Sequence, residues 1–152
     1  KAFQDNPKVD IVVGDLRICQ NSQSFVRTPE CSLEGILSNF TTGFPSNPLS
    51  YAYKRELQIR IGPFPLSNHY TMDFWFLLRA YYYGKVMKVN TIFGTFYLDG
   101  HNKTSTLVNT KQILFEERQK FIREFLMKPR VLRYVFLRRL ASALMKMRLN
   151  LL

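Results

Sequence analysis

The chain has 152 residues, which suits one domain that buries about 70% of its unfolded surface. Its formal net charge of +11 favours an anionic partner such as nucleic acid, a phosphorylated substrate or an anionic lipid. The sequence has no run of about 18 apolar residues, which excludes a membrane-spanning helix. Its two cysteines and two histidines do not make an obvious structural zinc site.

The first third of the chain predicts one buried strand among loops. Residues 1–6 have the pattern of a helix end, and residues 9–15, VDIVVGD, form a β-branched apolar run stopped by Gly-Asp. Such a run is typical of a strand buried on both faces of a parallel sheet. Residues 20–24 predict a turn, and residues 25–44 are loop-rich with one short helix around residues 32–39. Residues 50–62 then predict a short amphipathic helix that ends at Gly62.

A second helix is predicted over the stretch HYTMDFWFLLRAYYYGK, residues 69–85. Thr71 or Asp73 can begin this helix, since short oxygen-bearing side chains accept hydrogen bonds from the free N–H groups of a first turn. Gly84 supplies the stop. The spacing i, i+3, i+4, i+7 gives this helix one apolar face, formed by Phe74, Leu77, Leu78 and Tyr81.

Asp73 is the one carboxylate near the N-terminus of this otherwise apolar helix. The positive end of the helix dipole is expected to favour its ionised form. A fixed, ionised and partly desolvated carboxylate could serve as a general base. The alternative is that Asp73 only caps the helix, and local sequence by itself favours that interpretation because Asp is a preferred capping residue.

Beyond Lys85 the pattern changes to strand and then back to helix. Residues 86–98, VMKVNTIFGTFYL, predict one or two strands, broken near Asn90 or Gly94. A polar turn follows, then a helix over residues 110–127 and a last helix over residues 131–151. This order of elements favours an α/β layer.

The positive charge is concentrated at the end of the chain. Residues 116–152 hold ten Lys/Arg and three Glu, a net charge of +7. An apolar side beside arginines suits an anionic membrane interface, and it suits equally a helix that docks on the domain with a solvated basic face. The tail also supports a rival function, a non-catalytic basic module that binds anionic membrane or nucleic acid. Nucleic acid is the less favoured of these partners, because no recognised binding module accompanies the charge.

Several motifs occur in an order that resembles a known family. VDIVVGD comes first, followed by NPLSYAYKRELQIRIGPF, a loop with proline and a helix ending in a G-x-F turn. MDFWFLLRAYYYGKVMKV is similar to a D-x-D/E-x-W-x-R … G-K helix and strand, and FYLDGHNKTS to a closing Y-R-x-H-x-x-x-K-T/S element. Together they make residues 1–115 resemble the C-terminal half of a family 2 glycosyltransferase of the bacterial type.

The resemblance implies an α/β fold, the C-terminal half of a GT-A (nucleotide-diphospho-sugar transferase-like) fold. Residues 1–115 would be its acceptor-side half and residues 116–152 a basic amphipathic helical tail. The implied activity is inverting transfer of a sugar from a nucleotide-diphosphate donor to a saccharide or lipid-linked acceptor, in polysaccharide or glycolipid synthesis. The expected location is cytoplasmic, with the basic tail placing the protein at the inner face of the cell membrane. The donor-binding half and the ligands of a divalent metal, Mn or Mg, would precede Lys1, so we expect the chain to be a fragment.

The resemblance also assigns roles by position. Asp73 takes the place of the carboxylate that deprotonates the acceptor hydroxyl, while Trp75 stands where the pattern has its second acid. Trp75 and Arg79 fall in the acceptor-binding or substrate-binding region, where Trp75 could stack on a sugar or pack in the core and Arg79 could brace the helix. His101 and Lys103 fall near the donor diphosphate or its metal, with solvated loop residues as the alternative.

Overall fold

The computed structural model describes residues 1–38, 45, 47–67, 70–99 and 110–128. The chain divides into two units, Lys1–Arg118 and Gln119–Leu152. The elements, in chain order, are α1 (Ala2–Asp5), β1 (Ile11–Gln20), β2 (Gln23–Arg27), α2 (Leu33–Ser38), a 3-10 turn (Pro48–Ser50), β3 (Tyr51–Tyr53), α3 (Arg55–Ile61), α4 (Met72–Tyr83), β4 (Val86–Tyr97) and α5 (Thr110–Leu126). Strands and helices share the first unit, which confirms the predicted α/β class.

Strand β1 is the centre of a mixed four-stranded sheet. It pairs antiparallel with β2 and β3, and parallel with β4. Residues 11–13 of β1 pair with both β3 and β4, and residues 16–19 pair with both β2 and β4. A strand has two edges, so β2 and β3 follow one another along one edge and β4 runs along the other. The expectation of a parallel sheet is therefore wrong, because two of the three neighbours of β1 run antiparallel.

The predicted buried strand is confirmed, and it is longer than its apolar run. The first four residues of β1 are all buried, as a strand covered on both faces requires. The strand then continues past Asp15 because a neighbouring cation compensates the carboxylate: Lys88 Nζ of β4 lies 2.6 Å from Asp15 Oδ1. The hydrogen bond from Lys88 holds the pKa of Asp15 below its ordinary value.

A tight hairpin follows β1. Asn21 and Ser22 both have positive φ, 48° and 64°, the backbone that two-residue hairpin turns require. The returning strand β2 pairs with residues 16–20 of β1. The predicted turn over residues 20–24 and the predicted loop from residue 25 are therefore wrong where β2 occupies residues 23–27, whereas the predicted short helix is confirmed as α2.

The predicted helix over residues 50–62 is half wrong. Residues 51–53 form strand β3, paired with Ile11, Val12 and Val13 of β1. The helix α3 starts only at Arg55, after Lys54 in an extended conformation. Gly62 ends it at φ 94°, the left-handed region that glycine tolerates without a Cβ penalty. The predicted helix end at Gly62 is confirmed. Residues 51–53 form a strand instead of a helix because they pair with the edge of β1.

Strand β4 is single, with an irregularity where a break was predicted. Its register against β1 shifts on both sides of Asp15, opposite residues 88–94. The ring of Phe93 lies over Gly14, where an added Cβ would come within 2.3 Å of Phe93 Cδ1. The glycine in β1 thus gives room to the aromatic ring of β4. The helix predicted over residues 110–127 is confirmed as α5, and the one predicted over residues 131–151 lies outside the described residues.

Helix α4 is the most deeply buried helix segment described. Its predicted apolar face is confirmed, since Phe74, Leu77, Leu78 and Tyr81 are all buried. Phe76 and Ala80 are buried as well, so the buried surface is wider than one stripe. Among the described residues, no helix has both the length and the apolar character needed to cross a bilayer.

Candidate functional site

The first turn of α4 is held by a hydrogen bond to a residue of another helix. Thr71 occupies the N-cap position, and its side chain makes no capping hydrogen bond to the helix. Its hydroxyl instead donates to Glu117 Oε2 of α5 at 2.9 Å, and Thr71 is only 2% exposed. Asp73 is therefore the second residue of the helix and not its cap. The capping role that local sequence favoured for Asp73 is not what the structure shows.

The Asp73 carboxylate has a specific partner on the sheet. Tyr51 Oη of β3 donates to Asp73 Oδ1 at 3.0 Å. Burial raises the pKa of Asp73 above its ordinary value of 3.8, against the lowering effect of the Tyr51 hydrogen bond. The pKa shift is thus opposite in direction to the one expected from the helix end, because burial disfavours the charged form. A carboxylate with a raised pKa is a stronger base, which favours proton uptake.

An aromatic cluster packs against the Tyr51 ring through Tyr53 and Phe76. We define this aromatic cluster as Tyr51, Tyr53, Phe64, Trp75 and Phe76. Phe76 is its centre, with ring centroids 4.5 Å from Tyr53, 5.3 Å from Phe64 and 6.1 Å from Tyr51. Offset and tilted aromatic pairs at these distances are favourable packing. The strand β3, the segment after α3 and the helix α4 therefore meet beside Asp73 in a rigid, apolar setting.

Trp75 and Arg79 contact each other along α4. The Arg79 guanidinium carbon lies 4.1 Å from the centroid of the Trp75 ring, a cation–π contact. Arg79 Nη1 also lies 3.4 Å from the Trp75 carbonyl oxygen, to which it donates. Arg79 thereby covers one face of the indole, and a sugar ring could stack only on the other. The geometry makes Arg79 a brace for Trp75, and sugar stacking on Trp75 stays a prediction.

The two loop candidates, His101 and Lys103, lie outside the described residues. Within the described ranges, no group of three or more His, Cys, Asp or Glu side chains is arranged to hold a metal ion. The Mn or Mg that the resemblance implies therefore finds no fitting ligand set in the part of the chain that the structure describes.

Tyr51 is the site residue that sequence reasoning missed. The prediction of a helix over residues 50–62 gave Tyr51 no role in the site. The alternation in the letters YAY was the available signal, since two tyrosines two residues apart share one face of a strand. No protein-family model, curated protein or solved structure matches the chain.

Proposed function

We propose that the chain is the acceptor-side half of a GT-A-type glycosyltransferase, with Asp73 as the general base. The observation that carries this proposal is the half-buried Asp73 carboxylate, held by Tyr51 at the first turn of a buried helix. Such a group is poised for proton transfer. The order of the sequence motifs supports the choice of reaction, because it puts this carboxylate where the resembled family has its base.

The chemistry of the proposed transfer suits one carboxylate. The acceptor oxygen bonds to the anomeric carbon as the bond from that carbon to the nucleoside diphosphate breaks, through an oxocarbenium-like transition state. A carboxylate is too weak a base to ionise an alcohol beforehand. It can take the proton as the alcohol becomes acidic in the transition state. Attack opposite to the leaving group inverts the anomeric configuration.

The packing of the motifs gives a second, coarser support. VDIVVGD forms the start of β1, and the motif containing SYAY supplies β3 on one of its edges. The motif that contains Asp73 leads from α4 into β4 on the other edge, where Lys88 pairs with Asp15. Three of the motifs that carry the resemblance therefore belong to one sheet and the helices next to it, as parts of one catalytic domain would.

The test of this function is a transfer assay on the complete polypeptide that contains these residues. Nucleoside diphosphate release from a panel of sugar donors would be measured with and without saccharide or lipid-linked acceptors, in the presence of Mn or Mg. We expect release that depends on the acceptor and is lost in Asp73→Asn. Undiminished release in that variant, with the protein folded, would reject Asp73 as the base.

The tail supports a separate proposal about location, an anionic membrane surface as partner. Its net charge of +7 over residues 116–152 should draw it to anionic lipid, at about 1 kcal/mol per basic residue near the surface. Deleting residues 130–152 removes six Lys/Arg and no acid. We expect this deletion to weaken binding to phosphatidylserine vesicles at least about tenfold, as measured by vesicle sedimentation, with phosphatidylcholine vesicles as the control.

The same binding experiment addresses the rival function. A non-catalytic basic module whose partner is nucleic acid would bind generic DNA tightly and with strong salt dependence, without competition from anionic vesicles. That outcome, together with no acceptor-dependent release of nucleoside diphosphate, would favour the rival. Vesicle binding that survives the deletion would contradict the anchoring role of the tail.

A further inference from the structure

Tyr51 is held in place independently of Asp73. Its backbone pairs with Val13 in the centre of the sheet. Its ring is stacked with Tyr53 at 6.2 Å and with Phe76 at 6.1 Å between centroids. The hydroxyl thus reaches Asp73 from a rigid strand and not from a loop, which is how precise placement of a functional group is usually achieved.

The direction of this hydrogen bond is fixed by the environment. Burial, with the neighbouring Asp73 carboxylate as the next cause, raises the pKa of Tyr51 above its ordinary value. The phenol therefore keeps its proton across the pH range in which carboxylates titrate, and it acts towards Asp73 as a donor. Among the residues that the structure describes, Tyr51 is the side chain that donates to Asp73, and it does so at Oδ1.

We propose that Tyr51 is a positioning residue for Asp73: its hydroxyl holds Oδ1, stabilises the ionised carboxylate despite burial, and leaves Oδ2 to receive a proton. The last part rests on the proposed function, in which that proton comes from the acceptor hydroxyl. The first two parts concern only the pair itself. A hydrogen bond to a charged acceptor is stronger than one between neutral groups, so its loss should be measurable directly at the carboxylate.

The test is Tyr51→Phe, which removes the hydroxyl and keeps the ring in the aromatic cluster. The pKa of Asp73 would be followed by 13C NMR titration of its carboxyl carbon. We expect it to rise by about one pH unit. Tyr53→Phe is the matched control, since it makes the same change two residues away in the same strand and cluster. It should leave the Asp73 titration unchanged.

A kinetic readout separates positioning from a merely structural role. In the complete polypeptide, Tyr51→Phe should move the acidic limb of the kcat/KM profile upward by the same amount as the pKa of Asp73. A structural role would lower the rate equally at every pH. An Asp73 pKa that is the same in Tyr51→Phe and wild type would overturn the proposal.

A second measurement covers the case in which Tyr51→Phe does not fold. In the wild-type chain, the Cζ resonance of Tyr51 should titrate with the midpoint of Asp73, and this inflection should vanish in Asp73→Asn. Its absence in wild type would equally overturn the proposal. Because NMR titration needs no turnover, a coupled pair with normal transfer in Asp73→Asn would uphold the hydrogen bond and reject only the proposed base.

Discussion

Substitution Asp73→Asn is expected to lower sugar transfer by a factor of about a thousand, within the range that a positioned general base contributes. Asparagine has nearly the same shape and keeps a carbonyl oxygen that can accept from Tyr51, but it cannot take up a proton at neutral pH. The loss should therefore fall on the rate of transfer and leave the fold intact. The measurement is acceptor-dependent release of nucleoside diphosphate by the complete polypeptide.

The matched control for this substitution is Glu56→Gln. Glu56 is the second residue of α3, as Asp73 is of α4, so both changes remove one acid from the first turn of a helix. Glu56 is exposed and should tolerate the change with transfer close to wild type. Equal losses in the two variants would indicate a general effect on the helices and contradict a catalytic role for Asp73.

The stability of the Asp73→Asn variant should show the opposite trend to its activity. Burial raises the folded-state pKa of Asp73, so the folded protein binds a proton there more tightly than the unfolded chain does. Below pH 3.8, Asp73 is protonated in both states, and its preference for the folded state stabilises wild type in full. This stabilisation is lost as the pH rises through the folded-state pKa of Asp73, so the free energy of unfolding of wild type should fall relative to that of Asp73→Asn. Urea denaturation at pH 7 should find the variant as stable as wild type or more stable, by up to about 1 kcal/mol.

Substitution Phe76→Ala is expected to cost about 3–5 kcal/mol of the free energy of unfolding. The Phe76 side chain is fully buried, with 0% exposure, and it is the centre of the aromatic cluster. Its removal would leave a cavity between β3 and α4 and take away the ring that stacks on Tyr51. Urea denaturation measures the loss.

Phe115→Ala is the control for that cavity. Phe115 lies on α5 with 48% of its surface exposed, so the same truncation there should cost less than about 1 kcal/mol. A similar small loss at Phe76 would mean that the cluster does not hold β3 against α4. The proposal that Tyr51 is held rigidly would fall with it.

Sequence reasoning predicted the elements whose signals are local and repeated. Helix α4 combines four apolar residues at helical spacing with a stop at Gly84, and β1 opens with a β-branched run, so both could be predicted from their own residues. Strand β3 was missed because its alternation covers only three residues, too short a signal to decide against a helix without the pairing that β1 provides. Strand β2 was missed because its hairpin turn uses Asn21 and Ser22 without the glycine that usually marks such a turn.

The candidate site was predictable in position and not in setting. Asp73 could be singled out because it is the one acid in an apolar helix. The direction of its pKa could not, since the helix dipole is readable from sequence while the extent of burial depends on tertiary packing. The contact of Asp73 with Tyr51, which lies 22 positions earlier in the chain, could not be predicted for the same reason.

The bond between Thr71 and Glu117 has a consequence for how the protein is made. The two residues are 46 positions apart, so during synthesis the helix turn that carries Asp73 leaves the ribosome well before Glu117 does. The sheet can assemble without Glu117, because β4 ends at Tyr97. The first turn of α4 should therefore reach its final setting late, after the domain around it has closed. A released chain that ends before residue 117 would carry the four strands of the sheet but lack the hydrogen bond from Thr71 to Glu117 beside Asp73.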